Sequence, residues 1–135
     1  MKTLIKELVF CLAVLLCVVA FAHGQNKPSP TFELVKETAL KSDQDENGDY
    51  LTDIVVDNIR YTCCYLPRFN CIGISILNIE SKIISIVLWD EETGMYERRV
   101  YTPEGDVVLD VMLSQETADV IAKRVLEMFG VHKSI

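Results

Sequence analysis

The sequence predicts an α+β fold, a small antiparallel sheet of about five or six strands with a C-terminal α-helix packed on it. Two observations carry this expectation. Between residues 53 and 113, runs rich in β-branched and aromatic residues are separated by turn signals such as Asp90-Glu91-Glu92-Thr93-Gly94 and Pro103-Glu104-Gly105-Asp106. After Ser114, the residues Ala118, Val120, Ile121, Val125, Leu126, Met128 and Phe129 form one apolar side of a helix over 115–129, with Glu116 in its first turn and Gly130 just past its end.

Taken in order, residues 1–22 carry Lys2 and Lys6, an unbroken apolar run from Leu8 to Ala22, and the small-residue pattern Ala20-Phe21-Ala22. That is the organisation of a signal peptide cleaved after Ala22, so the protein is expected to be secreted, extracellular or periplasmic. The run of about 15 residues is short of the roughly 20 that span a bilayer. Residues 23–30, with Pro28 and Pro30, read as a flexible leader, and a single domain is expected over 31–135. Phe32 and Leu34 alternate as in a strand, although residues 33–40 also suit a short helix. The strand is preferred, because a strand over 31–40 and another over 53–61 would make a simple hairpin around the acidic residues between them. Pro67 marks a loop tip. The near-continuous apolar runs 71–79 and 82–89 predict two central strands with both faces covered. Strands over 95–102 and 107–113 complete the sheet.

Composition excludes some partners. The formal net charge is −7, and loss of residues 1–22 removes two lysines and one glutamate, leaving eleven basic against nineteen acidic residues. Such a surface repels nucleic acid and anionic membranes and tolerates cations. Three cysteines remain in the exported chain, Cys63, Cys64 and Cys71. An odd number in an oxidising compartment implies one bridge and one spare thiol, the latter able to link two chains as a disulfide-bonded dimer. Adjacent strand residues point to opposite faces, so only one of Cys63 and Cys64 can face Cys71. A bridge from Cys64, or from Cys63, to Cys71 would close a display loop with Arg68 and Phe69 at its tip.

The most specific stretch is the acidic one. Read as an EF-hand, it places Asp43, Asp45 and Asn47 at alternate ligand positions with Gly48 at the turn, but Ile54 stands where a bidentate Glu is required and a strand follows instead of a helix. Read from Asp45, the run Asp45-Glu46-Asn47-Gly48-Asp49-Tyr50-Leu51-Thr52-Asp53, followed directly by Ile54-Val55-Val56, resembles the calcium loop of integrin-type (FG-GAP/VCBS-like) β-propeller repeats. The resemblance implies calcium held by the side chains of Asp45, Asn47, Asp49 and Asp53 and by the backbone carbonyl of Leu51. Tyr50 occupies the place of that family's second glycine. A propeller needs at least about four blades, so the resemblance reaches the loop and not the fold. The plainer reading is a tight Asn47-Gly48 turn among solvated acids.

These residues point to binding, not catalysis. His23 and His132 are the only histidines and lie near the ends, so no Ser-His or Cys-His arrangement is expected in the core. The expected protein is a secreted binding module stabilised by calcium in the loop 45–53 and contacting a protein or glycan partner. The alternative is a secreted effector, inhibitor or toxin-like protein acting through a disulfide-closed loop 63–71.

Overall fold

The computed structural model describes residues 27–130. The expected signal peptide, the first part of the leader and both histidines lie outside the described residues. The described chain forms one six-stranded antiparallel sheet in sequential order, β1 (Tyr50–Val56), β2 (Ile59–Leu66), β3 (Cys71–Asn78), β4 (Ile84–Asp90), β5 (Tyr96–Tyr101) and β6 (Val107–Leu113), with two helices, α1 (Pro30–Ala39) and α2 (Gln115–Met128). The fold class is therefore the α+β architecture expected from the sequence.

The first element departs from expectation. Residues 30–39 are a helix, because local capping outweighs the Phe32/Leu34 alternation. The Ser29 hydroxyl accepts from the Phe32 N–H at 3.2 Å, Pro30 occupies the first turn with its φ already helical, and Phe32, Val35 and Ala39 fall on one face and are fully buried. Order also begins earlier than residue 31. Ser29 is buried, its N–H donates to the Tyr96 hydroxyl at 3.0 Å, and its own hydroxyl donates to Asp119 of α2 at 2.6 Å. This small network ties the entry of α1 to β5 and to α2.

The expected strand over 53–61 is two strands. Asp57 and Asn58 have φ of 51° and 62° and join β1 to β2 as a two-residue hairpin, with Val56 opposite Ile59. Two successive left-handed residues match the sheet's own twist, and Asp and Asn tolerate that conformation better than other non-glycine residues. After β2, Pro67–Phe69 make one 3₁₀ turn that ends on left-handed Asn70.

Cross-strand register decides which residues share a face. The row Tyr65, Ile72, Trp89, Tyr96, Leu113 and the row Cys63, Ile74, Val87 lie beneath the helices and form one core with Phe32, Val35, Ala118, Ala122, Val125 and Leu126. Phe32 packs edge-on against Tyr96 with ring centroids 5.0 Å apart. Both helices lie on this face, so among the described residues β3 and β4 are covered by helices on one side only. The expectation that their apolar runs meant two covered faces is corrected. Leu77, Ile84, Ile86 and Leu88 stand half-buried on the face without helices, where Leu51, Val55 and Met112 are exposed. No helix among the described residues is long and apolar enough to cross a membrane.

Candidate functional site

The acidic stretch folds as a compact turn organised by Asp45. Its Oδ1 accepts from the N–H groups of Asn47 at 2.9 Å and Asp49 at 2.8 Å, while its own N–H donates to the Asp49 carbonyl at 2.8 Å. Gly48 takes φ of 83°, and the Gln44 amide donates to the Gly48 carbonyl at 2.8 Å. A side-chain oxygen that collects two backbone donors is how Asp stabilises a reversal of the chain.

The five sequence-predicted ligands do not converge. Asp45, Asn47 and Asp49 share the turn, but β1 begins at Tyr50, and an extended chain separates Asp49 from Asp53 by roughly 13 Å at about 3.3 Å per residue. The tyrosine at the glycine position is the physical reason, since a β-forming residue continues the strand where a glycine would let the chain fold back. Leu51 is exposed on β1, and Asp53 accepts from the Thr62 hydroxyl at 2.7 Å across the β1–β2 pair. Among the described residues no group of three or more His, Cys, Asp or Glu is placed to hold a metal ion.

Asp49 has a different partner. It is buried, and its Oδ2 is 3.1 Å from the Arg68 guanidinium, whose side chain is half-exposed and also lies over the Phe69 ring at 4.6 Å. Its Oδ1 has no hydrogen-bond partner among the described residues. The expected contact residues Arg68 and Phe69 are thus positioned by an ion pair to the acidic turn and by the 3₁₀ turn they form.

The expected bridge is not formed: Cys63, Cys64 and Cys71 are free thiols. The geometry does separate the two adjacent cysteines as predicted, with Cys63 under the helices and Cys64 on the opposite face, across from Gly73. Cys71 lies two residues before Gly73, one diagonal step from Cys64 on that same face and not directly opposite it. Burial pushes the Cys63 thiol up to about 12, helped by neighbouring Cys64. Burial also pushes Cys64 up to about 12, against a backbone hydrogen bond from Gly73. Cys71 is raised by burial and by Asp90, Glu92 and Glu97, with Arg99 opposing.

One cleft stands beside Cys71 on the open face. It measures about 450 Å³ and is lined by Phe69, Leu88, Met95 and Met112 together with the acids Asp90, Glu92 and Glu97. Phe69, Met95 and Met112 are 56%, 54% and 62% exposed, which is unusual for three large apolar residues around one depression. Its two arginines are already committed: Arg68 to Asp49, and Arg99 to Glu97 and, at 3.7 Å, to Asp110. Met95, Met112, Glu97 and Arg99 were not singled out from the sequence. Their signal was the alternation of Glu97 and Arg99 in β5 and of Asp110 and Met112 in β6, which needs the strand pairing to become one surface. The arrangement defines a one-sided α+β sandwich with a methionine-lined cleft on its uncovered face. No family model, curated protein or solved structure matches the chain.

Proposed function

We propose that the protein is a secreted binding module whose cleft takes an apolar side chain of a partner polypeptide with a positive charge beside it. One observation carries this reading: Phe69, Met95 and Met112 are exposed around a cleft whose arginines are neutralised, which leaves Asp90 and Glu92 to set the charge of its rim. Methionine adapts to varied apolar side chains, and a depression of this volume accepts one or two of them. A glycan would stack on Phe69, but the methionines favour a polypeptide. The segment 1–22 supports export, and the proposal keeps Arg68 and Phe69 as contact residues without requiring a disulfide.

A fluorescein-labelled hexapeptide alternating Leu and Lys is expected to bind with a dissociation constant on the order of 10–100 µM by anisotropy, in the range of small transient contacts. An otherwise identical Leu and Glu peptide should bind at least about tenfold more weakly, because its charges meet Asp90 and Glu92. Met112→Asp, at an exposed position that leaves the fold intact, should remove binding of the basic peptide. Equal binding of both peptides, or retention by Met112→Asp, would overturn the proposal.

Calcium at the acidic turn is a second reading, favoured by the buried Asp49 Oδ1 that has no partner among the described residues. The ion would use Asp45, Asn47 and Asp49, displacing Arg68, and would leave Leu51 and Asp53 in β1. With so few ligands the dissociation constant belongs near about 10⁻³ M, where about 10 mM calcium adds about 1.4 kcal/mol and raises the melting temperature by several degrees over chelator. Asp49→Ala should abolish the rise. A wild-type melting temperature that does not move identifies the stretch as a turn held by Asp45 and Arg68 alone.

A further inference from the structure

We propose that the protein forms a two-fold symmetric dimer in which the edge strand β6 pairs antiparallel with β6 of a second copy, extending the sheet across the molecular boundary.

The two edges of the sheet are unlike. At β1, the Gln44 bridge to Tyr50 covers one end, and half-buried positions alternate with exposed ones. At β6, every residue from Val107 to Asp110 is exposed, as are Val111 and Met112, and of the whole strand only Leu113 packs against the core. Five of those six exposed residues are apolar. An edge strand carries a row of unpaired N–H and C=O groups, and monomeric proteins usually guard it with lysine, proline or a very short length. Strand β6 has no lysine or proline and runs for seven residues; Asp110 is its one charge, and its pairing with β5 is irregular only at Val100 and Tyr101. Its apolar side chains also lie on both faces of the sheet, so neither helix among the described residues covers them all.

The register of self-pairing follows from symmetry and charge. A two-fold axis through the sheet keeps each residue on its own face, so the axis must pass at a residue and not between two. Centred on Asp110 it would set two carboxylates directly opposite, which is destabilising. The irregularity between Val100 and Tyr101 leaves residues 109–113 as the regular part of β6, and the centre of that stretch is Val111. Centred there, Leu109 meets Leu113 of the second copy on the helix side and Val111 meets its own equivalent. Asp110 meets Met112 of the second copy on the other face and keeps Arg99 as its neutralising neighbour. The strand's one charge is thus off the axis and already paired, which is the self-complementarity that an isologous interface requires and a foreign strand would not. The seam shares Met112 with the cleft, so it is tested at Val111, which lies on the helix side and does not line the cleft.

A seam of one strand pair is small, below about 1,200 Å² in total, so a weak dimer is expected. Sedimentation velocity of the purified chain, in reducing agent to exclude thiol linkage, should show monomer at about 1 µM and mostly dimer at about 200 µM. Because each copy is acidic, raising salt should tighten association. Val111→Lys places two ammonium groups opposite each other at the axis and should weaken the dimer at least about tenfold while shifting the melting temperature little, the site being exposed. Mixing Val111→Lys with Val111→Glu should restore association as a heterodimer. A wild-type chain that stays monomeric at about 200 µM overturns the proposal. So does dimerisation of Val111→Lys at wild-type strength, or failure of the two oppositely charged variants to associate when mixed.

Discussion

Raising the pH from about 9 to about 11 is expected to remove some 5 kcal/mol of folding stability, comparable to the whole stability of a domain this size. The cause is two adjacent thiols. Cys63 and Cys64 have an ordinary value of 9.0 and are pushed to about 12 in the folded chain, in both cases chiefly by burial. Between those values the unfolded chain has lost protons that the folded chain still holds. Stability is therefore full below about pH 9 and is lost progressively as pH rises toward about 12. Each thiol contributes about 1.4 kcal/mol per pH unit, so the pair contributes about 3 kcal/mol per unit. Urea titrations at successive pH values should show this slope in the wild type. The double variant Cys63→Ala, Cys64→Ala should show a flatter one, even though it starts less stable at neutral pH. Equal slopes would mean that burial of these thiols does not govern the alkaline limit. The same burial should leave Cys63 and Cys64 unreactive toward thiol reagents in the folded state near neutral pH.

The second large effect is expected at Phe32. The side chain is fully buried between the helices and the sheet, edge-on to Tyr96, and Phe32→Ala should cost about 3–5 kcal/mol, enough to unfold much of the population at ambient temperature. The loss is both transfer free energy and the cavity left behind, because Tyr96 is held by the Ser29 N–H and cannot simply move in. Phe32→Leu should cost markedly less, since most of the volume is kept. Circular dichroism with denaturant titration measures both. A small loss in Phe32→Ala would mean that α1 is an appendage and not part of the core. That outcome would restore weight to the flexible-leader reading of the region before residue 31.

The mistaken strand at residues 31–40 shows where local reading ran out. Ser29-Pro30 is a legible helix start, with Glu33 in its first turn, and Phe32, Val35 and Ala39 have helical spacing; the proximity of Pro28 makes the same residues look like a leader. The Asp57-Asn58 hairpin was likewise legible as a pair of turn-tolerant residues, but it lay hidden inside an unbroken β-branched run. At the acidic stretch the sequence motif described donors by type and spacing, and Asp45 does organise the turn as its chemistry suggests. The motif held no information about where the strand would begin. Once Tyr50 starts β1, Asp53 is carried away from Asp49, and Arg68, distant in sequence, becomes the partner of the buried carboxylate.

By itself the sequence determined the elements whose signals are local: the Ser114-capped helix, the strands flanked by turn residues, the opposition of Cys63 and Cys64 across one strand, and the tight turn at Asn47-Gly48. Only the tertiary structure decided which faces are covered. Both helices pack on the same side because Phe32, Val35, Ala118, Ala122, Val125 and Leu126 bury against one another as well as against the sheet. The apolar runs of β3 and β4 therefore have an open face, Met95 and Met112 meet Phe69 around one cleft, and β6 stands uncovered at the edge. Periodicity states that a strand has an apolar face. Which faces find partners depends on contacts between residues far apart in the chain, and no local window contains them.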